Sequence, residues 1–305
     1  GLNLDLGHGF VDFAGAATVH LVGAAVALSG ILITWPIRRH VTHPAFSESA
    51  SLSSPSDGLE PTVVPLNKGP ISGGSGLAED GADTVQLPPV HLPLLATLGA
   101  ALVMIGGAGW VLANPLVAWS QLPMSQIALN LLLAAAGGAA FPLAYTWFAT
   151  SCADPLQAAR GLLTGVVAAT ATGPFVPPWA ALLIGLIAGF LTATTLYAMQ
   201  RWLGWDDRAA ILSTSGIGSL WGSLALALLA DGRWGQGWNR VGEAVYLTTN
   251  GQGVSGLIVA AGFRPDWPGQ LQAQLVGLAA IGLFVFVAGW LMLILAALFT
   301  RALSA

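Results

Sequence analysis

Charge is what this sequence has least of. Charged residues make up 8% of its 305 residues and apolar ones 55%, where a soluble domain carries about 25% and about 45–50%. Water is therefore excluded as the main solvent. The net charge of −4 is spread thinly between apolar runs and marks no partner; no nucleic-acid interaction is expected. The single cysteine, Cys152, excludes an internal disulfide and has no second thiol or nearby histidine with which to hold a metal. Histidine is missing from Leu92 to Ala305, so this chain cannot supply two imidazoles in series deep in a membrane. Gly-rich phosphate loops, Ser/His/Asp sets and metal-ligand spacings are missing too, and neither enzymatic activity nor a cofactor is expected. Nothing reads as a cleaved signal peptide. The chain opens on Gly1, without an initiator Met, inside a pattern already under way, as expected of a processed chain or an incomplete gene.

What is present is a series of apolar stretches of about 20 residues, each long enough to cross a bilayer. They predict an all-α, polytopic transmembrane helix bundle of about seven spans, at 10–37, 91–112, 124–150, 156–173, 178–202, 207–230 and 271–300. An odd number places the termini on opposite sides. With the N-terminus outside, Arg38, Arg39, Lys68, Arg160, Arg201, Arg208 and Arg301 fall on the cytoplasmic side, and only Arg233, Arg240 and Arg264 fall outside. That imbalance predicts N-out, C-in, in a bacterial inner (plasma) membrane. Residues 1–37 then form the first span and 91–305 the other six. Residues 38–90, with Ser47–Ser56 and Gly69–Gly76 and almost no aromatics, predict a disordered cytoplasmic loop, because they bury too little apolar surface to offset ordering. Residues 231–270, rich in Gly and Trp, predict an ordered outer segment at headgroup level.

Lipid gives helices no hydrophobic reason to associate, so small residues that let backbones approach become the signal. Gly161 and Gly165, Gly185 and Gly189, and Gly218 and Gly222 are such i, i+4 pairs, and the first span carries Gly15, Gly23 and Gly30. Tight packing explains them, with a glycine-lined pore wall as the alternative. Ionisable groups inside spans are costly and call for a role. Asp12 either caps the first helix or shapes a path at its outer end. His20, eight residues on, would sit about 12 Å deeper along a continuous helix, either in a path or as a hydrogen-bonded packing histidine. Asp206 and Asp207 precede the sixth span, where capping is the leading reading.

The run Gly7-His8-Gly9-Phe10-Val11-Asp12-Phe13-Ala14-Gly15 with Thr18-Val19-His20 resembles the fifth helix of the ammonium transporters, relatives of the Rhesus proteins. Similar matches follow in family order: His91-Leu92-Pro93-Leu94, Ala128-Leu129-Asn130, Pro178 to Gly189, Trp205-Asp206-Asp207, Gly216 to Gly222, Ala230-Asp231-Gly232, Gly237-Trp238-Asn239 and Gln270 to Gln274. The resemblance implies an eleven-helix fold of two inverted repeats, of which this chain supplies helices five to eleven. It also implies a path at the repeat interface and a homotrimer or a subunit of a larger membrane complex, with a further chain to supply the missing helices.

The family's site residues transfer one by one. His20 matches the first of its twin histidines, and Ser215 stands where the second belongs. Trp110 takes the hydrophobic gate, Asn114 the usual pore serine, and Ala210 replaces an aspartate. The path residues expected from the resemblance are thus His20, Asp12, Trp110, Asn114 and Ser215, with the lipid bilayer and ammonium or ammonia as partners. Two readings stand open: an ammonium or ammonia channel or channel component, degenerate in its equipment, and a non-transporting structural or docking subunit or sensor.

Overall fold

Apolar runs broken by Gly, Pro and Asp become helices broken at those residues. The structure is a computed structural model that describes residues 6–41, 91–119, 122–205, 207 and 209–304. Most of the expected loop at 38–90 lies outside the described residues, as do Asp206 and Arg208. The chain divides into two units, residues 37–88 and the remainder, and the helices below belong to the remainder apart from the end of the first.

A π-helical turn, Ala16–Leu21, runs into α1 (Val22–Val41). Then come α2 (His91–Leu112), the short α3 (Pro115–Trp119), α4 (Met124–Thr150) and α5 (Pro155–Thr172). After α6 (Pro178–Ala198) and its π-helical extension Met199–Leu203, a third π turn, Leu212–Gly216, opens α7 (Ile217–Leu229). A cap of turns over residues 230–268 holds one 3-10 turn, Trp238–Arg240, and an antiparallel hairpin of β1 (Val245–Tyr246) and β2 (Thr249–Asn250). The last helix is α8 (Gly269–Ser304).

Among the described residues, six helical segments are long and apolar enough to cross a membrane. The fourth expected span, 156–173, which folds as α5, is not one of them, since it carries Gln157, Arg160, Thr164, Thr170 and Thr172. It packs against α2, α4, α6 and α7, and a helix enclosed by others needs no lipid-facing stripe. Its start is fixed by Asp154, whose carboxylate accepts the Leu156 N–H at 2.8 Å and the Gln157 N–H at 3.4 Å, followed by Pro155 at the first helical position.

The glycine pairs do pack backbones together. A methyl group at Gly138 of α4 would overlap the Gly161 carbonyl of α5, and one at Gly189 of α6 would overlap the Gly138 carbonyl. At Gly222 of α7 it would lie 2.6 Å from the Ala168 carbonyl of α5. The exceptions are in the outlying helices: Gly23 of α1 and Gly99, Gly106 and Gly109 of α2 meet nothing within 4 Å. Asn130, fully buried in α4, donates to the carbonyls of Gly173 (2.8 Å) and Val176 (2.7 Å) and so ties down the α5–α6 link. Those carbonyls would otherwise be buried unpaired.

Candidate site at two capped turns

The first helix starts later than its apolar run, at Ala16 rather than at residue 10. Residues Gly7 to Gly15 form a non-helical lead-in segment. It ends at Gly15, whose φ of +90° suits glycine alone. Buried non-helical backbone persists only where its polar groups are satisfied by protein. Six carbonyls here are met by side-chain donors: Asn239 Nδ2 donates to His8 (2.8 Å) and Phe10 (3.1 Å), Gln270 Nε2 to Gly9 (3.0 Å), Gln274 Nε2 to Val11 (3.1 Å), Asn114 Nδ2 to Phe13 (2.7 Å) and Trp110 Nε1 to Ala14 (2.8 Å).

Asp12, in this segment, accepts the N–H of Ala17 (3.3 Å) and both the N–H and Oγ1–H of Thr18 (2.9 Å each). It therefore caps the helix. The Gly15 carbonyl accepts from Val19 (3.0 Å) and His20 (3.2 Å), which widens the first turn to the π form. His20 lies in this opening turn, so the 12 Å offset of a continuous helix from Asp12 does not apply. Its half-buried ring makes no hydrogen bond among the described residues, and the Asp12 carboxylate is within electrostatic reach of it.

The same device recurs before α7. Asp207, buried, accepts the N–H of Leu212 (3.4 Å) and both the N–H (2.9 Å) and Oγ–H (2.9 Å) of Ser213. Ser215 then stands eight residues after Asp207, as His20 stands eight after Asp12. The two π turns pack on each other. A methyl group at Gly216 would lie 3.2 Å from Ala24 Cβ, one turn beyond His20. Ala210, between Asp207 and the Ser215 turn, is buried with φ +53°.

Of the five expected path residues, Asp12, His20, Trp110 and Asn114 converge on the lead-in segment and its turn, and Ser215 lies in the neighbouring turn. Trp110, 60% exposed, is tied through its N–H to Ala14 rather than standing loose. Asn114 bridges Phe13 to α3, its Oδ1 accepting from Leu116 at 3.0 Å. The amide clamps Asn239, Gln270 and Gln274 adjoin the expected path residues and stand in the runs Gly237-Trp238-Asn239 and Gln270 to Gln274, but spacing alone gives them no role; their signal is an amide inside an apolar context.

Two titratable groups at the cap end are displaced. Burial lowers His8 from 6.5 to about 4. Burial also pushes the Asp231 carboxyl up, opposed by the Arg233 N–H and by the charge of its guanidinium, whose Nε is 3.6 Å away. No group of three or more His, Cys, Asp or Glu suited to a metal occurs among the described residues.

The pattern of the Ammonium Transporter Family matches residues 79–304. The ammonium transporter Amt2 of Archaeoglobus fulgidus is 31% identical over 229 residues, taking in 75% of this chain and 40% of that protein. Mep2 of Saccharomyces cerevisiae superposes on 94% of this chain and 51% of its own, with a TM-score of 0.63 and 18% identity. A protein named Sensor Amt Protein superposes on 94% of this chain and 55% of its own, with a TM-score of 0.62 and 22% identity. These two structures share the fold, and the chain spans about two-fifths to half the length of these proteins. With most of its described helices inside the matched region, the chain belongs to the ammonium transporter family.

Proposed function

We propose that the protein is a degenerate component of an ammonium or ammonia channel, with the path running beside the two capped turns. The observation that carries this reading is the side-by-side packing of the His20 and Ser215 turns, each hung from its own aspartate. An imidazole exchanges a proton near neutral pH and a hydroxyl does not, so the path offers one proton-exchanging stop and one hydrogen-bonding stop. An ammonium ion loses hydration worth many kcal/mol in a dry path, which favours either a neutral ammonia step or an aromatic face such as that of Trp110. Asp12 and Asn114 hold the lead-in segment that forms the mouth.

The same reading places the N-terminus outside, the cap on the outer face, residues 38–90 as a cytoplasmic loop, and the whole in a bacterial inner membrane. It makes the protein a homotrimer or a subunit of a larger complex. A further chain supplies helices against α1 and α2, in keeping with Gly23, Gly99, Gly106 and Gly109, which meet nothing within 4 Å.

A second reading, a non-transporting docking subunit or sensor, is favoured by Ser215 in place of an imidazole and by the tethered Trp110. Methylammonium uptake into liposomes, with any copurifying chain retained, separates the two. Uptake above empty liposomes that is lost in His20→Ala supports the channel. Uptake equal to empty liposomes supports the second reading.

A further inference from the structure

Outside the two turns, the least expected side chain is that of His8. It is fully buried at the cap end, and both ring nitrogens lack a hydrogen-bond partner. A buried polar group without a partner is costly, and natural proteins keep few of them. Its ring lies 4.3 Å from that of Tyr246 in β1, tilted by 58°. The Tyr246 hydroxyl donates to Asp266 Oδ2 at 2.7 Å, just before α8. The main chain of His8 is held as well: its N–H donates to Gln270 Oε1 of α8 (3.2 Å) and its carbonyl accepts from Asn239 (2.8 Å). One residue thus joins the lead-in segment, the hairpin, the 3-10 turn and the start of α8.

We propose that His8 is an acid-sensitive latch, fastening the cap and lead-in segment to the start of α8 while its ring is neutral and releasing them when the ring takes a proton. The neutral ring is an apolar plate on Tyr246, whereas the imidazolium is a charge with two N–H donors and no acceptor in place. Of the groups facing it, Tyr246 of β1 and Asp266 before α8 titrate; Asn239 of the 3-10 turn and Gln270 of α8 do not. The Tyr246 hydroxyl donates to Asp266 Oδ2, and neither ring nitrogen of His8 has a hydrogen-bond partner.

The lowered value, about 4 against 6.5, fixes the sign. The open state binds the proton more readily, so closure is fully favoured above pH 6.5 and weakens as pH falls toward 4. Between pH 7.5 and pH 5 the closed-to-open ratio is expected to fall about 30-fold. Asp231, raised by burial, works in the opposite sense, adding stability at low pH that is lost as pH rises through its folded value.

The test is amide hydrogen exchange on the full chain in nanodiscs at pH 7.5, 6 and 5, corrected for intrinsic rates. The wild type should lose about 30-fold of protection at pH 5 in peptides from 7–15 and 231–268 and little in α4 to α6. His8→Phe keeps a ring on Tyr246, cannot be protonated, and should hold that protection. Equal loss in wild type and His8→Phe, or none in the wild type, overturns the latch. If His8→Phe does not fold, the wild-type profile decides: loss confined to cap and lead-in peptides supports the latch, while loss spread evenly over the helices overturns it.

Discussion

His20 and Ser215 occupy the same step of two matching turns, each eight residues beyond an aspartate that holds the main-chain N–H groups five and six residues along. The difference between them is one of proton affinity, not of position. Under the channel reading, Ser215→His restores a second proton-exchanging group at a half-buried place. Methylammonium uptake should rise on the order of tenfold over the wild type. An unchanged rate in a folded variant would remove Ser215 from the path.

Asp12 and Asp207 do equivalent work, so their loss should cost similar amounts. Asp12→Ala and Asp207→Ala are each expected to lower stability by about 1–2 kcal/mol, and the Asn variants by less, since Asn still accepts from main-chain N–H. Thermal unfolding in detergent reads this. A far larger loss for one aspartate than for the other would break the equivalence.

Glycines that look alike in sequence should behave in opposite ways. Gly138→Ala sets a methyl against the Gly161 carbonyl and should cost about 3 kcal/mol, because backbone cannot step aside as a side chain can. Gly106→Ala meets nothing within 4 Å and should stabilise the isolated chain by roughly 1 kcal/mol through helix propensity. If a further chain covers α2, the same Gly106→Ala weakens its retention in native mass spectrometry.

Trp110→Phe keeps an aromatic face and removes the donor to Ala14. A loss of about 1 kcal/mol is expected, with faster amide exchange confined to residues 13–20. Asn114→Ala should cost more, since it frees the Phe13 carbonyl and the Leu116 N–H together.

The bundle was legible in the sequence because spans need long apolar runs, and the helix contacts were legible because close approach needs glycine at regular spacing. Capping by Asp12 and Asp207 was readable for the same local reason. α5 reads as a span from its apolar run, but its Arg160 and threonines match neither a lipid-facing span nor a soluble helix, and only its enclosure explains them. The late start of the first helix was hidden further still. An apolar run does not reveal whether residues 10–15 are helical when the decision rests with Asn114, Asn239, Gln270 and Gln274, which local patterning cannot bring together. His8 stands in the motif run but takes no role from the sequence, because it lies outside every span and its burial depends on the cap folding over it.

The strapping of the lead-in segment also sets an order of events. Its donors lie 96 to 263 residues further along the chain, at Trp110, Asn114, Asn239, Gln270 and Gln274. During synthesis the segment emerges long before they do, and its carbonyls have water or lipid headgroups as their only partners meanwhile. The lead-in segment is therefore fully strapped only when α8 arrives, although the His20 turn beyond it is held by the nearby Asp12 and Gly15. A ribosome that stalls before Gln274 leaves a chain with most of its helices and without a finished site.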